Sequence, residues 1–284
     1  MTHTVQKSRI ARMAAHAALV GACLSMASAA QAQRLTAPLA PEGTARTIGL
    51  SDAVVALGGD LGSITVNPAN IAAVGPIGGS DATIAGGALG PDFFIGHAFG
   101  QTPNSPPGAI WAGALNSAFA SEQFIALTAG ASGLGGVATG ATFRYERWTR
   151  NGIERYRVNA DVGVHQDLKR GFSVGLSGLN LFHVDPFSGT SSTLPTDTEI
   201  IGGLGYVGHS GRLEGDYVYT KDHSYFRLGG ELKVYKDFVA RSGFSDRDFS
   251  VGAGFTSGTN TVSIALDYQR HQHALIAGGY SAHF

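Results

Sequence analysis

The chain has 284 residues, of which 43% are hydrophobic, 14% are charged and 41 are glycine. The charged share is far below the roughly 25% of an ordinary soluble domain, and glycine is about twice as frequent as usual. A mean hydropathy of +0.06 excludes a protein built from several apolar membrane helices, and a formal net charge of −1 does not favour nucleic acid as a partner.

Residues 1–32 have the composition of a secretory signal peptide. Lys7, Arg9 and Arg12 precede a run of small and apolar residues, and an A-x-A pattern ends at Ala32. We therefore expect cleavage after Ala32, which leaves a mature chain without cysteine and hence without disulfide or thiol chemistry. A membrane anchor and a lipoprotein signal that ends at Cys23 are the alternatives.

Residues 33–80 form a segment of a different kind. They show no sustained alternation of apolar and polar residues, and they are too apolar for a disordered tail. The segment contains an acidic residue, Asp60, and then the motif Asn67, Pro68 and Ala69. Proline ends a strand or helix and asparagine can bond its own turn, so the motif is expected either to shape the segment or to act as a gate or ligand contact.

From residue 81 onward the sequence alternates with a period of two, which predicts strands with one apolar and one polar face. Residues 261–270 are an example, in which the apolar positions are Val262, Ile264, Leu266 and Tyr268. The predicted strands are 81–89, 92–100, 109–118, 123–131, 137–148, 154–166, 171–182, 198–208, 212–221, 225–235, 238–244, 248–257, 261–270 and 273–284. Most have about 9–12 residues, the length of a tilted strand that crosses a bilayer.

The connections between these strands are short and turn-like, which predicts an antiparallel meander. The second face of the strands is rich in Gly, Ser and Ala, whereas a soluble β-sandwich would present Lys, Glu and Thr to water. Residues 81–284 are therefore predicted to form an all-β, 14-stranded antiparallel transmembrane β-barrel. The segment 33–80 is predicted to be a hatch that fills the lumen, with Asn67 near the wall at the start of the first strand.

The alternation also assigns a set of polar side chains to the lumen. Positive and negative charges are mixed in this set, which favours an interior network of ion pairs that holds the hatch over a ring that selects ions. A polar pathway or a site for a ligand head group is the alternative. The predicted lumen residues are Arg144, Glu146, Arg157, Asp161, His165, Glu214, Asp216, Arg227, Glu231, Lys233, Arg241 and Asp267.

The C-terminus ends on a large aromatic residue, Phe284, four residues after Tyr280. A frayed soluble tail has no reason to end in this way. The stretch resembles the C-terminal signal of bacterial outer-membrane proteins, and this resemblance implies that the barrel-assembly machinery reads Tyr280 and Phe284.

The sequence offers little support for a catalytic site. Neither a cofactor nor a metal is expected. The G-x-G-x-x-G pattern at 203–208 lies in a predicted strand and opens no helix, so it does not indicate a dinucleotide site. Ser281 with His283, and His209 with Ser210, lack a companion acid at readable spacing. His271 and His273 are more typical of a solvated turn than of a metal site.

The stretch 47–75, with Asp60 and the motif Asn67-Pro68-Ala69, resembles the N-terminal signature of the FadL/PorV-like outer-membrane barrels. Further similarity lies in 160–182 and in 238–244, so the resemblance extends over about 43–284. It implies a fourteen-stranded barrel with an N-terminal hatch, in the outer membrane of a Gram-negative bacterium. FadL-type members capture substrate with long loops, and the single long loop of this chain is 183–197.

The resemblance implies two functions. FadL-type members pass hydrophobic molecules across the outer membrane, and PorV-type members receive cargo in type IX secretion. The leading hypothesis is a barrel that passes small hydrophobic molecules. The alternatives are a PorV-like adaptor for secreted cargo, a structural barrel without transport, and, as a third class, a membrane-embedded hydrolase. Outer-membrane lipid is the expected surrounding partner.

Overall fold

The computed structural model describes residues 43–73, 78–87, 90–99, 106–116, 120–150, 153–184, 198–269 and 274–283. In these ranges fourteen strands close into one barrel, and each strand is antiparallel to both of its neighbours. The strands are β1 (Gly78–Gly87), β2 (Gly90–Phe99), β3 (Gly108–Asn116), β4 (Ala120–Ser132), β5 (Val137–Arg150), β6 (Ile153–Asp167), β7 (Phe172–Val184), β8 (Glu199–Val207), β9 (Gly211–Thr220), β10 (Ser224–Tyr235), β11 (Phe238–Ser245), β12 (Asp248–Ser257), β13 (Asn260–Gln269) and β14 (Ala274–His283).

The predicted fold class is confirmed, since the barrel has the expected number of strands in the expected meander order. β1 pairs with β14, and this pairing closes the sheet. The boundaries differ by a few residues: β1 begins at Gly78 rather than at 81, and β4 extends over Ala120–Ser132 rather than 123–131. A closed single sheet also excludes the alternative of a two-sheet sandwich.

The outer surface of the barrel is apolar and its interior is polar. Phe226, Ile264 and Ile276 are 66%, 60% and 65% exposed, whereas Glu146 and Glu214 are 0% and 1% exposed. Large apolar side chains on the outside are stable only when the surrounding solvent is hydrocarbon. The alternation of faces thus follows the period of two that the sequence shows.

Two register shifts interrupt the described strand pairing. Between β6 and β7, Ala160 pairs with Phe182 and Val162 with Gly178, so that three residues of β7 oppose one residue of β6. The bulged residues include Asn180, which has a positive φ of 54°. The second shift lies between β10 and β11, near Lys233 and Tyr235.

Residues 43–73, named here the inner segment, contain two single-turn helices, α1 (Ala45–Ile48) and α2 (Ser63–Val66), and a 3₁₀ helix, Pro68–Ala73. Almost all of its side chains are buried. Nowhere in the described ranges is a helix both long and apolar enough to span a membrane. α1 packs on β12, β13, β14 and β1, and the 3₁₀ helix packs on β4, β5 and β6.

The inner segment coincides with the central part of the predicted hatch. Residues 33–42 and 74–77 lie outside the described residues, as do residues 1–32, the predicted signal peptide, and Phe284. The hatch as a whole, 33–80, therefore stays a prediction. Residues 43–73 contact the inner face of the barrel.

Candidate functional site in the barrel lumen

Asn67 uses its whole side-chain amide to join the inner segment to the wall. Its Nδ2 donates to the carbonyl oxygens of Val55 at 2.7 Å and of Val164 in β6 at 3.1 Å. Its Oδ1 accepts the backbone N–H of Ala69 at 3.0 Å. The residue is fully buried, so these bonds replace all of the water that the amide gives up.

Asn70, which the sequence analysis did not single out, has the same role one turn later. Its Nδ2 donates to the carbonyl oxygens of Val54 at 2.9 Å and of Ser63 at 3.4 Å, and its Oδ1 is 2.9 Å from Nδ1 of His165. Side chains three residues apart lie above one another on a 3₁₀ helix.

The expected position of Asn67 at the start of the first strand is wrong. Its partner in the wall is Val164 of β6, not a residue of β1. The reason is steric, because Gly140 and Gly163 leave room for the backbone of Pro68 and the side chain of Asn67 on β5 and β6.

Glycines of the inner face allow the inner segment to lie directly on the wall. At four glycines a Cβ atom would overlap the inner segment. It would lie 2.3 Å from the Pro68 oxygen at Gly140 and 1.9 Å from Asn67 Oδ1 at Gly163. It would lie 2.1 Å from the Val55 oxygen at Gly175 and 2.2 Å from the Leu50 carbonyl carbon at Gly243. We name these four positions the glycine surface. They explain part of the glycine excess, since here glycine serves close approach rather than turns.

Asp60 organises the beginning of the inner segment. Its carboxylate accepts the Thr44 hydroxyl at 2.6 Å, Nη1 of Arg46 at 3.1 Å and the backbone N–H of Ser63 at 3.1 Å. All of these partners belong to the inner segment, so Asp60 stabilises the fold of the segment rather than its attachment.

Arg46 attaches the same region to the wall. Its Nε donates to Glu231 of β10 at 3.3 Å, and Arg241 of β11 donates to the same carboxylate oxygen at 2.7 Å. Burial by itself lowers the pKa of Arg46, but the carboxylates of Asp60 and Glu231 outweigh it and raise the pKa. The guanidinium therefore stays charged while it is buried.

A second charged cluster lies on the inner face of β5 and β6. Arg144 donates to Glu146, to Asp161 at 3.2 Å and to Asn180 at 2.8 Å. Asp161 also accepts the backbone N–H of Asn180 at 2.7 Å, and this bond holds the bulge of β7. Arg157 completes the cluster by donating to Glu146 while its guanidinium lies 4.6 Å above the ring of Trp148.

Glu214 and Asp216 differ from these clusters, because each is 1% exposed and neither has an ion-pair partner within 4.0 Å among the described residues. Both accept backbone N–H groups of the inner segment. Glu214 Oε1 accepts from Ala56, and Asp216 Oδ2 accepts from Val55 at 3.5 Å.

The remaining predicted lumen residues are distributed around these groups. Arg227 donates to the Tyr225 hydroxyl at 2.8 Å, and Asp267 is buried in β13. Lys233 is exposed at the end of β10, outside the buried clusters, because the register shift at this position ends the enclosed part of the strand. Burial raises the pKa of Asp52 in the inner segment to about 6, and the Arg227 guanidinium opposes this rise.

One side of the lumen carries an apolar cluster of large side chains. Phe94, Trp111 and Phe124 point inward from β2, β3 and β4, and the ring centroids of Trp111 and Phe124 are 5.4 Å apart. The inner segment contributes aliphatic side chains to the same cluster, which are Leu61, Ile64 and Ile71. The Trp111 indole N–H donates to Thr128 at 2.9 Å, so the cluster carries no free polar group at that ring.

Tyr280, a residue of the predicted assembly signal, lies in β14. Tyr280 is 49% exposed on the outer face and donates to Asn260 at 2.6 Å, whereas Phe284, His271 and His273 lie outside the described residues. Across the described part of the chain, His, Cys, Asp and Glu form no group of three that could hold a metal ion.

No protein-family model and no curated protein sequence matches the chain. Several solved structures do match. The toluene transporter TbuX of Ralstonia pickettii aligns with a TM-score of 0.61 at 10% identity, over 86% of this chain and 99% of the transporter. The monoaromatic hydrocarbon channel CymD aligns with a TM-score of 0.63 at 12% identity, over 86% and 98% of the two chains.

The toluene transporter TodX of P. putida aligns with a TM-score of 0.63 at 10% identity, over 86% of this chain and 99% of the transporter. The chain shares the fold of these barrels. At such low identity the similarity concerns the fold alone, and it agrees with the fold that the FadL-like resemblance implies.

Proposed function

We propose that the protein is an outer-membrane barrel that passes small hydrophobic molecules and carries out no catalysis. The proposal includes export with a signal peptide cleaved near Ala32, and insertion by the barrel-assembly machinery through the C-terminal strand with Tyr280 and Phe284. The apolar outer surface supports lipid as the surrounding partner, and the fold shared with barrels described as hydrocarbon transporters and channels supports the transport role.

The observation that carries the proposal is the apolar cluster in the lumen. The inner faces of β5, β6, β10 and β11 bear paired charges, which would bind water and reject a hydrocarbon. On β2–β4, by contrast, Phe94, Trp111 and Phe124 face the interior. These rings pack on Leu61, Ile64 and Ile71 of the inner segment, and we assign the hydrophobic route to this apolar cluster.

The test measures entry of an apolar aromatic probe into intact cells. N-phenyl-1-naphthylamine is excluded by intact lipopolysaccharide and fluoresces when it reaches phospholipid, so its rate of fluorescence rise reports passage. Cells that express the barrel should take up the probe faster than cells with an empty vector. Phe94→Gln should reduce the gain roughly tenfold, because an amide on the route costs about 1–3 kcal/mol to desolvate.

Phe226→Gln is the matched control, since it makes the same change on the lipid-facing side and should leave the rate of uptake unaltered. Both variants must show the heat-modifiable gel migration of a folded barrel. A folded protein that gives no uptake above the empty vector would overturn the transport proposal and favour the PorV-like adaptor or a structural barrel.

A further inference from the structure

The carboxylates of Glu214 and Asp216 are buried, and each has only one of its two oxygens in a hydrogen bond. They are two residues apart on β9 and therefore share its inner face. Each has one oxygen that accepts an N–H of the inner segment. The other oxygen of each, Glu214 Oε2 and Asp216 Oδ1, is buried without a donor. An ionised oxygen in such a position would be costly.

The inner segment brings these two oxygens together. Val55 and Ala56 are consecutive residues, so their N–H groups draw the two carboxylates to adjacent points of the same backbone. The neighbouring positions on β8 are Gly203 and Gly205, which leave space for both side chains. Two carboxyl groups that are held on consecutive N–H groups, each with one oxygen that lacks a donor, are placed to bond each other, and a hydrogen bond between two carboxyl groups requires a proton.

The surrounding charges do not replace that proton. Arg227 lies opposite Asp216 on β10, and its side chain is bonded to the Tyr225 hydroxyl. Arg46, in the inner segment, is held by Asp60 and Glu231, and Arg212 of β9 lies 3.7 Å from Glu231. Asp52 of the inner segment adds a further acid near Asp216. Arg46 and Arg212 are thus shared with other acids, and Arg227 forms no ion pair within 4.0 Å among the described residues.

We propose that Glu214 and Asp216 share one proton while the inner segment is docked, and that this proton makes the docking sensitive to pH. The proton joins Glu214 Oε2 to Asp216 Oδ1, and each remaining oxygen accepts an N–H of the segment. When the segment leaves, water reaches both carboxylates and the proton is released, because hydrated carboxylates are ionised at neutral pH. The inference concerns the docking of the segment and does not depend on what the barrel passes.

The sign of the pH dependence follows from proton linkage. The docked state binds one more proton than the undocked state at a pH where free carboxylates are ionised. Docking must therefore weaken as pH rises, by up to tenfold in the docking equilibrium for each pH unit. Below the pH at which the hydrated carboxylates are protonated, the docking equilibrium should no longer change.

The experiment measures hydrogen-exchange protection factors of residues 53–57 in detergent-solubilised full-length protein between pH 5 and pH 9. Protection factors correct for the intrinsic pH dependence of exchange. In the wild type they should fall as pH rises. In Glu214→Gln the amide N–H donates permanently to Asp216 and the amide oxygen still accepts from Ala56, so protection should be retained at pH 9 and should lose its slope.

Two further variants make the result decisive. Asp52→Asn removes an acid of the inner segment whose pKa burial raises to about 6. It should change the slope only near pH 6 and should keep the wild-type fall in protection above pH 7. Asp216→Asn places an amide donor on the opposite partner, and it serves as the second test if Glu214→Gln does not assemble. Protection that is independent of pH in the wild type, or a slope that vanishes in Asp52→Asn and persists in the amide variants, would overturn the shared proton.

Discussion

Replacement of Asn67 by alanine should release the inner segment without unfolding the barrel. The wild-type amide is the described partner of the Val55 carbonyl at 2.7 Å and of the Ala69 N–H at 3.0 Å. Asn67→Ala leaves both groups buried without a partner, at about 1–3 kcal/mol each. The docking free energy should fall by about 4 kcal/mol, which is about a thousandfold in the docking equilibrium.

Trypsin provides the assay, because Arg46 is the only basic residue between 43 and 73 and is 9% exposed in the docked segment. Cleavage after Arg46, followed by mass spectrometry in detergent, reports the undocked fraction. Asn260→Ala is the control, since this asparagine is exposed at the barrel end and bonds the Tyr280 hydroxyl. Cleavage of Asn67→Ala at the wild-type rate, in a barrel that stays heat-modifiable, would refute the conclusion that Asn67 stabilises the docked segment.

The remaining predictions concern the two faces of the wall. Gly163→Ala should increase cleavage after Arg46, because the new Cβ atom would lie 1.9 Å from Asn67 Oδ1. Gly278→Ala, which has open space around it, should be cleaved at the wild-type rate. Equal cleavage of the two variants would contradict the role of the glycine surface in docking. Leu266→Arg on the outer face of β13 should lower the unfolding free energy in urea by about 2–4 kcal/mol if it lies near the bilayer midplane, and Val262→Arg, nearer the strand end, by about 0–1 kcal/mol. Similar losses at the two depths would show that the outer face does not meet lipid.

The sequence predicted the barrel well because strand periodicity is a local property. Alternation along β13 places Val262, Ile264 and Leu266 outside and Ser263 and Asp267 inside, as the structure shows. Short turns then leave the meander as the simplest topology. The alternation alone also predicts that the side chains of Arg144 and Glu214 lie on the inner face.

The organisation of the lumen could not be read in this way. Asn67 was recognised as special, but its partner Val164 is 97 residues away in sequence, and no local pattern specifies such a pairing. Asn70, Ser173 and Ser177 were missed because single polar residues among small apolar ones resemble ordinary strand or turn residues. Ser173 and Ser177 donate to the Ala56 and Val66 carbonyl oxygens at 2.6 and 2.7 Å, and these contacts exist only after the sheet is closed.

The contacts at the glycine surface also connect separate parts of the wall. The backbone of the inner segment touches Gly140, Gly163, Gly175 and Gly243, which belong to four different strands, and β1 seals against β14 beside it. Gly140, Gly163 and Gly175 lie on three consecutive strands, and Gly243 lies on β11, so one short segment bears on two separate parts of the wall at once. Release of the segment should therefore loosen both parts of the wall together, because the same backbone contacts them simultaneously.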